Sequence, residues 1–248
     1  MSTAAFITAR LKSTRLPRKV LRPVAGRPML GHLIDRLRLA QRPQRIVLCT
    51  STVAQDDPLE ELAQAEGIDA FRGDPDDVLA RLRDAANAFG VETVASCTAD
   101  NPFVDPVWMD RLVDFHLVNG HDYSNTEGLP FGTFCYVLSR GALERACAIK
   151  DETDTEVWGG YFTQTGLFRW GTLSVDDPAV RRPELRLTVD EPRDFELVEG
   201  IFAELGHHGR FSLAEIVALL DRRPELARLN ADVRQKPGLP IRLKQNVA

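Results

Sequence analysis

Short apolar runs alternate along this chain with segments of helical periodicity, and that alternation is the strongest constraint on its fold. Residues 4–8, 45–50, 68–72 and 91–98 read as buried strands. Between them, residues 28–41, 57–66 and 75–89 carry helical patterns, the first with a stripe of Leu30, Leu33, Ile34, Leu37 and Leu39. Asp57-Pro58 supplies helix-start chemistry and Gly67 a stop. Strand–helix repetition of this kind needs a sheet covered on both faces, so a three-layer α/β/α architecture is expected.

The first strand runs straight into a basic loop. It carries Arg10, Lys12, Arg15, Arg18, Lys19, Arg22 and Arg27, with no carboxylate before Asp35, although the whole chain has net charge −5. In an open α/β fold, the loop after the first strand is where a phosphate-bearing ligand sits. Guanidinium forks, an ammonium and backbone N–H groups together can hold a triphosphate. Ser13, Thr14, Pro17 and Gly26 intersperse the cations with small, stiff and permissive positions that a merely solvated loop does not need.

Two aspartates complement this loop. Strand 91–98 ends in Ala99-Asp100-Asn101-Pro102, and a carboxylate there can hold a divalent cation beside a triphosphate. Asp190 ends what reads as a second short strand, 186–190, before Pro192 opens a helix to 205. Other carboxylates have local explanations. Asp105 is expected to N-cap a helix over 106–118, and Asp76, Asp77 and Asp194 to sit in first helical turns where the dipole favours them.

The middle is less regular. Residues 122–125, 133–138 and 167–175 read as strands, Ser139 as the cap of a helix to 149, and Thr153 to Glu156 as a capping box before a helix through Tyr161. Ser212 to Glu215 is another capping box, opening a helix to 220, with a further helix from Pro224 and a tail over 237–248. His116, His121, His207 and His208 show no ligand spacing and are expected to be surface or helix-end residues.

Several classes are excluded. A net charge of −5 argues against general nucleic-acid binding. Four widely spaced cysteines without C-x-x-C signal neither a zinc site nor a redox pair and fit a reducing cytoplasm. No stretch reads as membrane-spanning and no signal-peptide core opens the chain.

A resemblance adds to these readings. Ala9, Arg10, Ser13, Thr14, Arg15, Leu16, Pro17, Lys19, Leu21, Gly26, Pro28, Met29 and Leu30 match a pattern A-R-x-x-S-T-R-L-P-x-K-x-L followed by G-x-P-M-[LI]. Arg72, Gly73, Asp77, Val78 and Leu79 match R-G-x-x-x-D-V-L, and Asp100, Pro102, Phe103, Asp105 and Pro106 match D-x-P-[FL]-x-D-P. The run from Arg186 to Leu197 is similar to R-L-T-V-D-x-P-E-D-x-x-L. In these runs the chain resembles the cytidylyltransferases that activate sugar acids, the CMP-KDO synthetases and acylneuraminate cytidylyltransferases, most of all their SpsF-like branch. Where that family has Gly before the loop lysine, this chain has Arg18.

The resemblance implies a Rossmann-like, GT-A-like nucleotidyltransferase fold with a mixed, mostly parallel sheet. It implies a nucleotidyltransferase domain over 1–205, with an acceptor and dimerisation region at 120–176, and a C-terminal helical extension over 206–248. The implied reaction moves CMP from CTP to a small anionic acceptor, a sugar acid or phosphonate, with release of pyrophosphate. Arg10, Arg15 and Lys19 would grip the phosphates. Thr8, Ala9, Arg10, Ser13, Lys19, Thr50, Ser51, Arg72, Gly73, Cys97 and Thr98 would surround the nucleotide, and Asp100 and Asp190 would hold Mg2+. A cytoplasmic homodimer follows, with neither nucleic acid nor membrane as partner. Two other readings stay open: a sugar-1-phosphate nucleotidyltransferase using another base, and a non-catalytic nucleotide-sugar binding protein of a polysaccharide assembly system.

Overall fold

A computed structural model describes residues 2–206, 210–235 and 240–245. His207, His208 and parts of the expected tail lie outside the described residues.

The chain opens with β1 (Thr3–Thr8), the small ribbon β2 (Pro23–Val24) and β3 (Arg27–Pro28), and α1 (Met29–Leu37). Next come β4 (Ile46–Ser51), α2 (Asp57–Glu66), β5 (Asp69–Gly73), α3 (Val78–Phe89), β6 (Thr93–Thr98) and α4 (Pro106–Asn119). The middle holds β7 (Tyr123–Glu127), β8 (Tyr136–Ser139), α5 (Arg140–Ile149), α6 (Gly159–Thr163) and β9 (Trp170–Ser174). Three helices follow: α7 (Pro192–Leu205), α8 (Leu213–Arg222) and α9 (Pro224–Arg228).

The sheet has seven strands in the order β5-β4-β1-β6-β8-β7-β9. Only β8 is antiparallel to its neighbours, so the expected mixed, mostly parallel sheet is what forms. Alternate residues of β1 serve opposite faces. Ala5 and Ile7 enter a core with Leu30 of α1, Leu112 of α4, Val198 of α7 and Ile216 of α8. Ala4 and Phe6 enter a second core with Leu82 of α3, Leu143 of α5 and Phe162 of α6. Each of the larger side chains, from Ile7 and Phe6 to the helix leucines, contributes roughly 1.5–3 kcal/mol on leaving water. A one-residue slip would exchange the two sets, so the alternation fixes the register. In that register Thr8 lies beside Cys49 and Thr98, and Ser51 beside Gly73. The carboxyl ends of β1, β4, β5 and β6 therefore share one edge, where an α/β sheet builds its ligand site.

Several local expectations are corrected. Helix α1 starts at Met29, because Pro28 is used in the ribbon, and stops at Leu37, leaving Leu39 53% exposed. Helix α3 starts at Val78 and not at residue 75, because Asp77 is its N-cap and accepts from Ala80 N–H at 3.0 Å. The capping box at Thr153 to Glu156 does not form. Thr155 instead donates to Asp77 (2.9 Å) and accepts from Leu79 N–H (3.0 Å), and the next helix waits until Gly159. His116 is a helix-end residue, in the last turn of α4, but it does not face solvent: it is buried, its Nδ1 lies 3.1 Å from Ser124 Oγ, and burial pushes its pKa down to about 4. Residues 186–190 form no strand. They lie over the loops that follow β6 and β7, with a bridge from Arg186 to Phe131 and Val189 N–H donating to Asp100 O at 2.9 Å. The caps expected at Asp105, Ser139 and Ser212 are all made.

Candidate active site

The basic loop is held from below by apolar anchors. Leu11, Leu16 and Val20 are each 3% exposed and belong to the first core, which leaves the cations between them at the surface of the cleft. The loop leaves β1 with Ala9 N–H donating to Cys49 O at 3.2 Å. Leu11 is then gripped from both sides: its N–H donates to Asp56 Oδ1 at 2.7 Å and its carbonyl accepts from Gln55 Nε2 at 3.1 Å. The Ser51 hydroxyl donates to the other oxygen of the buried Asp56. Arg18 has φ 53° and ψ 28°, a left-handed conformation. That explains why the resembling pattern has Gly here, since a side chain in this region costs about 1–2 kcal/mol.

The loop cations divide into two groups. Arg10 donates through Nη1 to Pro75 O and to Asp76 Oδ1 (2.7 Å), and Lys12 also pairs with Asp76 (3.0 Å). Asp76 therefore precedes α3 as the counter-ion of two loop cations, which corrects its reading as a first-turn residue. Its carboxyl is held below the usual range, first by Lys12. Arg15 and Lys19 face the other way. Lys19 Nζ lies 2.8 Å from Asp100 Oδ2, 3.0 Å from Asp190 Oδ1 and 2.6 Å from Val189 O. Arg15 Nη2 is 3.0 Å from Asp190 Oδ1, and its Nη1 is 3.3 Å from Glu191 Oε1. Burial alone would depress the Lys19 ammonium, but Asp100 and Asp190 outweigh it and raise its pKa above the usual lysine value. Burial likewise pushes the Asp190 carboxyl up, while Lys19, Arg186 and Arg15 together bring it below the usual carboxylate range.

One ammonium thus spans both aspartates, which places their carboxylates within roughly 6 Å of each other. A shared divalent ion needs the two oxygens within about 4–5 Å, which that upper bound allows. Among the described residues, no group of three or more His, Cys, Asp and Glu is placed to hold an ion by itself. Two carboxylates completed by substrate phosphates is the donor set a hard cation such as Mg2+ takes.

Asp190 is supported from behind. Arg186 Nη2 donates to Asp190 Oδ2 at 2.8 Å, and Arg186 Nε to Asp194 Oδ1 at 2.9 Å. Asp194 has a fully buried side chain and accepts from the N–H groups of Asp190 (2.8 Å) and Glu191 (3.0 Å) and from Asn230 Nδ2 (2.8 Å). Asp194 is therefore the centre of a polar network, more than a dipole-stabilising residue. On the other side, the Thr98 hydroxyl donates to Asp100 Oδ1, and Asn101 Nδ2 donates to Thr98 Oγ1 at 3.0 Å.

The remaining residues expected at the nucleotide are distributed along the same edge. Thr50 Oγ1 and Asn101 Oδ1 are buried and, among the described residues, have no hydrogen-bond partner. Arg72 is committed to α2, pairing with Asp57 (2.6 Å) and Glu60 (2.9 Å) and donating to the carbonyls of Ser51 (2.9 Å) and Val53 (3.1 Å). Gly73 is packed against Phe71 and Arg81. Cys97 is buried in the first core, and burial pushes its thiol well above the ordinary range. Ser13 is half-buried in the loop. The structure brings Arg15, Lys19, Asp100 and Asp190 together, and sets Arg10 and Arg72 in separate ion pairs. Sequence reasoning missed Asp56, the support from Arg186 and Asp194, and Asn230. The carboxylate just before Asp57-Pro58 was a usable signal for the first.

Residues 4–158 match a family described as cytidylyltransferase. The chain is 32% identical over 229 residues to the spore coat polysaccharide biosynthesis protein SpsF of Bacillus subtilis, covering 90% of this chain and 95% of that protein. Its fold is similar to a cytidylyltransferase from Leptospira borgpetersenii, with TM-score 0.83 at 23% identity, covering 96% of this chain and 100% of that one. It is also similar to a CMP:2-keto-3-deoxy-manno-octonic acid synthetase solved with CTP, with TM-score 0.65 at 16% identity, over 83% of this chain and 100% of that one.

Proposed function

The chain belongs to the cytidylyltransferase family, and from that premise we propose that it transfers CMP from CTP to a small anionic sugar acceptor in surface-glycan biosynthesis. The observation that carries this reading is the convergence of Lys19 and Arg15 from the first loop on Asp100 and Asp190 from two distant segments. An acceptor oxygen attacks the α-phosphorus, the bond to the β-phosphate oxygen breaks, and pyrophosphate leaves with the bonding electrons. Charge grows on the non-bridging and leaving oxygens, so the chemistry consists of positioning and electrostatic stabilisation.

On this reading Arg10, Arg15 and Lys19 grip the phosphates, and Lys19 exchanges its carboxylate partners for phosphate oxygens. Asp100 and Asp190 hold Mg2+, whose chemistry when bound is to neutralise phosphate charge. Thr8, Ala9, Ser13, Thr50, Ser51, Arg72, Gly73, Cys97 and Thr98 form the nucleotide side. The orphan oxygens of Thr50 and Asn101 support it, since buried polar atoms without partners await a ligand or water. Residues 120–176 form the acceptor side and the contact of a homodimer. Asn125 Oδ1 and Thr126 Oγ1, at the carboxyl end of β7, are orphaned in the same way. A keto-deoxy sugar acid or a phosphonate suits a cleft so rich in cations. Among the described residues no helix is long and apolar enough to cross a membrane.

The test is pyrophosphate release over the four ribonucleoside triphosphates, with a panel of sugar acids and phosphonates in Mg2+. Release is expected with CTP and an anionic sugar. Release only with another nucleotide, or with no acceptor of this class, would overturn the reading.

A further inference from the structure

We infer that Asn230, in the segment after α9, is a positioning residue for Asp190, so that the C-terminal part of the chain tunes cation binding in the cleft. This inference rests on the reading of Asp190 as a cation ligand. Asn230 is 1% exposed. Its Nδ2 donates to Asp194 Oδ1 at 2.8 Å and to Arg186 O at 3.1 Å. It therefore fixes both the residue that holds the Asp190 backbone and the residue that holds the Asp190 side chain. Gln235 adds a second contact from the same segment, accepting from Arg186 Nη1 at 3.1 Å.

The consequence is a choice of oxygen. Arg186 engages Asp190 Oδ2, which leaves Oδ1 to face Lys19 and Arg15. Asp190 belongs to no strand, so no sheet ladder sets this orientation. Asn230 has no contact with Asp100, Lys19 or Arg15 among its hydrogen bonds. It acts through Asp194 and Arg186 alone. Loss of its amide removes a donor from a fully buried carboxylate and frees the Arg186 carbonyl, so the arm shifts and the two-carboxylate spacing is lost. Ligand-supporting groups of this kind set metal affinity by holding the ligand's orientation.

The experiment measures Mn2+ binding in the presence of CTP, by the electron paramagnetic resonance signal of the free ion, on the full-length chain. Asn230→Ala is expected to weaken Mn2+ about tenfold. In turnover assays it should raise the metal concentration needed for half-maximal rate, with little change at saturating metal. Asn230→Ser, which retains a small donor, should recover part of the affinity. Leu226→Ala is the control for loosening alone: Leu226 packs over Gly200 of α7 and leaves the amide in place. It should lower the melting temperature without moving Mn2+ affinity. An Asn230→Ala protein that binds Mn2+ within twofold of wild type, or a Leu226→Ala protein that loses as much affinity, would overturn the inference. Asp190→Asn separates it from the reading beneath it. If Asp190→Asn abolishes binding and Asn230→Ala does not change it, only the role of Asn230 falls. If Asp190→Asn binds Mn2+ like wild type, the cation site and the role of Asn230 fall together.

Discussion

Asp100 and Asp190 face the same ammonium but are built in opposite ways. Asp100 follows β6, so the sheet delivers its backbone, and its side chain needs only the neighbouring Thr98 hydroxyl. Asp190 sits on an irregular arm with a 10% exposed side chain, and its place depends on Arg186, Asp194 and Asn230. A carboxylate on a strand end comes with the fold. A carboxylate on an arm has to be held by a polar network, which is sensitive to every member because a half-satisfied buried network is worse than none.

The largest expected effects break both halves equally. Asp100→Asn and Asp190→Asn should each lower turnover about 10³-fold in a pyrophosphate-release assay, the scale of losing one transition-state charge partner. A loss confined to one of them would break the symmetry of the pair. The supports should then separate them. Arg186→Met leaves Asp194 buried without its counter-ion and should cost about 3–5 kcal/mol in urea denaturation. Thr98→Ala removes one hydrogen bond from a quarter-exposed carboxylate and one from the Asn101 amide, and should cost about 1–2 kcal/mol. Equal losses would show that the two sides are not built differently.

Acid titration sharpens the same contrast. Burial pushes the Asp194 carboxyl up, but Arg186, the Asp190 N–H and Asn230 hold it below the usual range. A depressed folded value means that its contribution is full above the unfolded value of about 3.9 and is lost as pH falls through the folded one. Melting temperature should therefore drop below about pH 4. Asp194→Asn, weaker at pH 7, should show a shallower acid limb, whereas an unchanged slope would remove Asp194 from the arm's support. The smallest effect belongs to the loop. Arg18→Gly relieves a left-handed backbone and should stabilise the chain by about 1 kcal/mol, or less once glycine's extra unfolded-state entropy is counted.

The same contrast explains what could be read in advance. The strand–helix alternation, the sheet and the caps at Asp105, Ser139 and Ser212 depend on residues close in sequence, and periodicity exposes them. The basic loop and Asp100 stand out because each comes just after an apolar strand, where a change to charge is visible in the sequence. The supports did not. Leu11 meets Asp56 across 45 residues, Thr155 meets Asp77 across 78, and Asn230 meets Asp194 across 36. Polar side chains carry no periodic signal, and only the folded chain selects their partners. The run from Thr153 to Glu156 shows the cost: its local pattern promises a capping box, but a distant carboxylate takes the hydroxyl of Thr155 inside it and no helix starts there. Residues 186–190 read as a strand in the sequence, but among the described residues they make only an isolated bridge to Phe131 and join no sheet.

The most direct test of the shared site is a double-mutant cycle on Mn2+ affinity in the presence of CTP, with Asp100→Asn, Asp190→Asn and the combined variant. If the two carboxylates hold one ion, either single change should remove most of the affinity and the double variant should lose little more. Losses that add, or a single variant that binds like wild type, would contradict it.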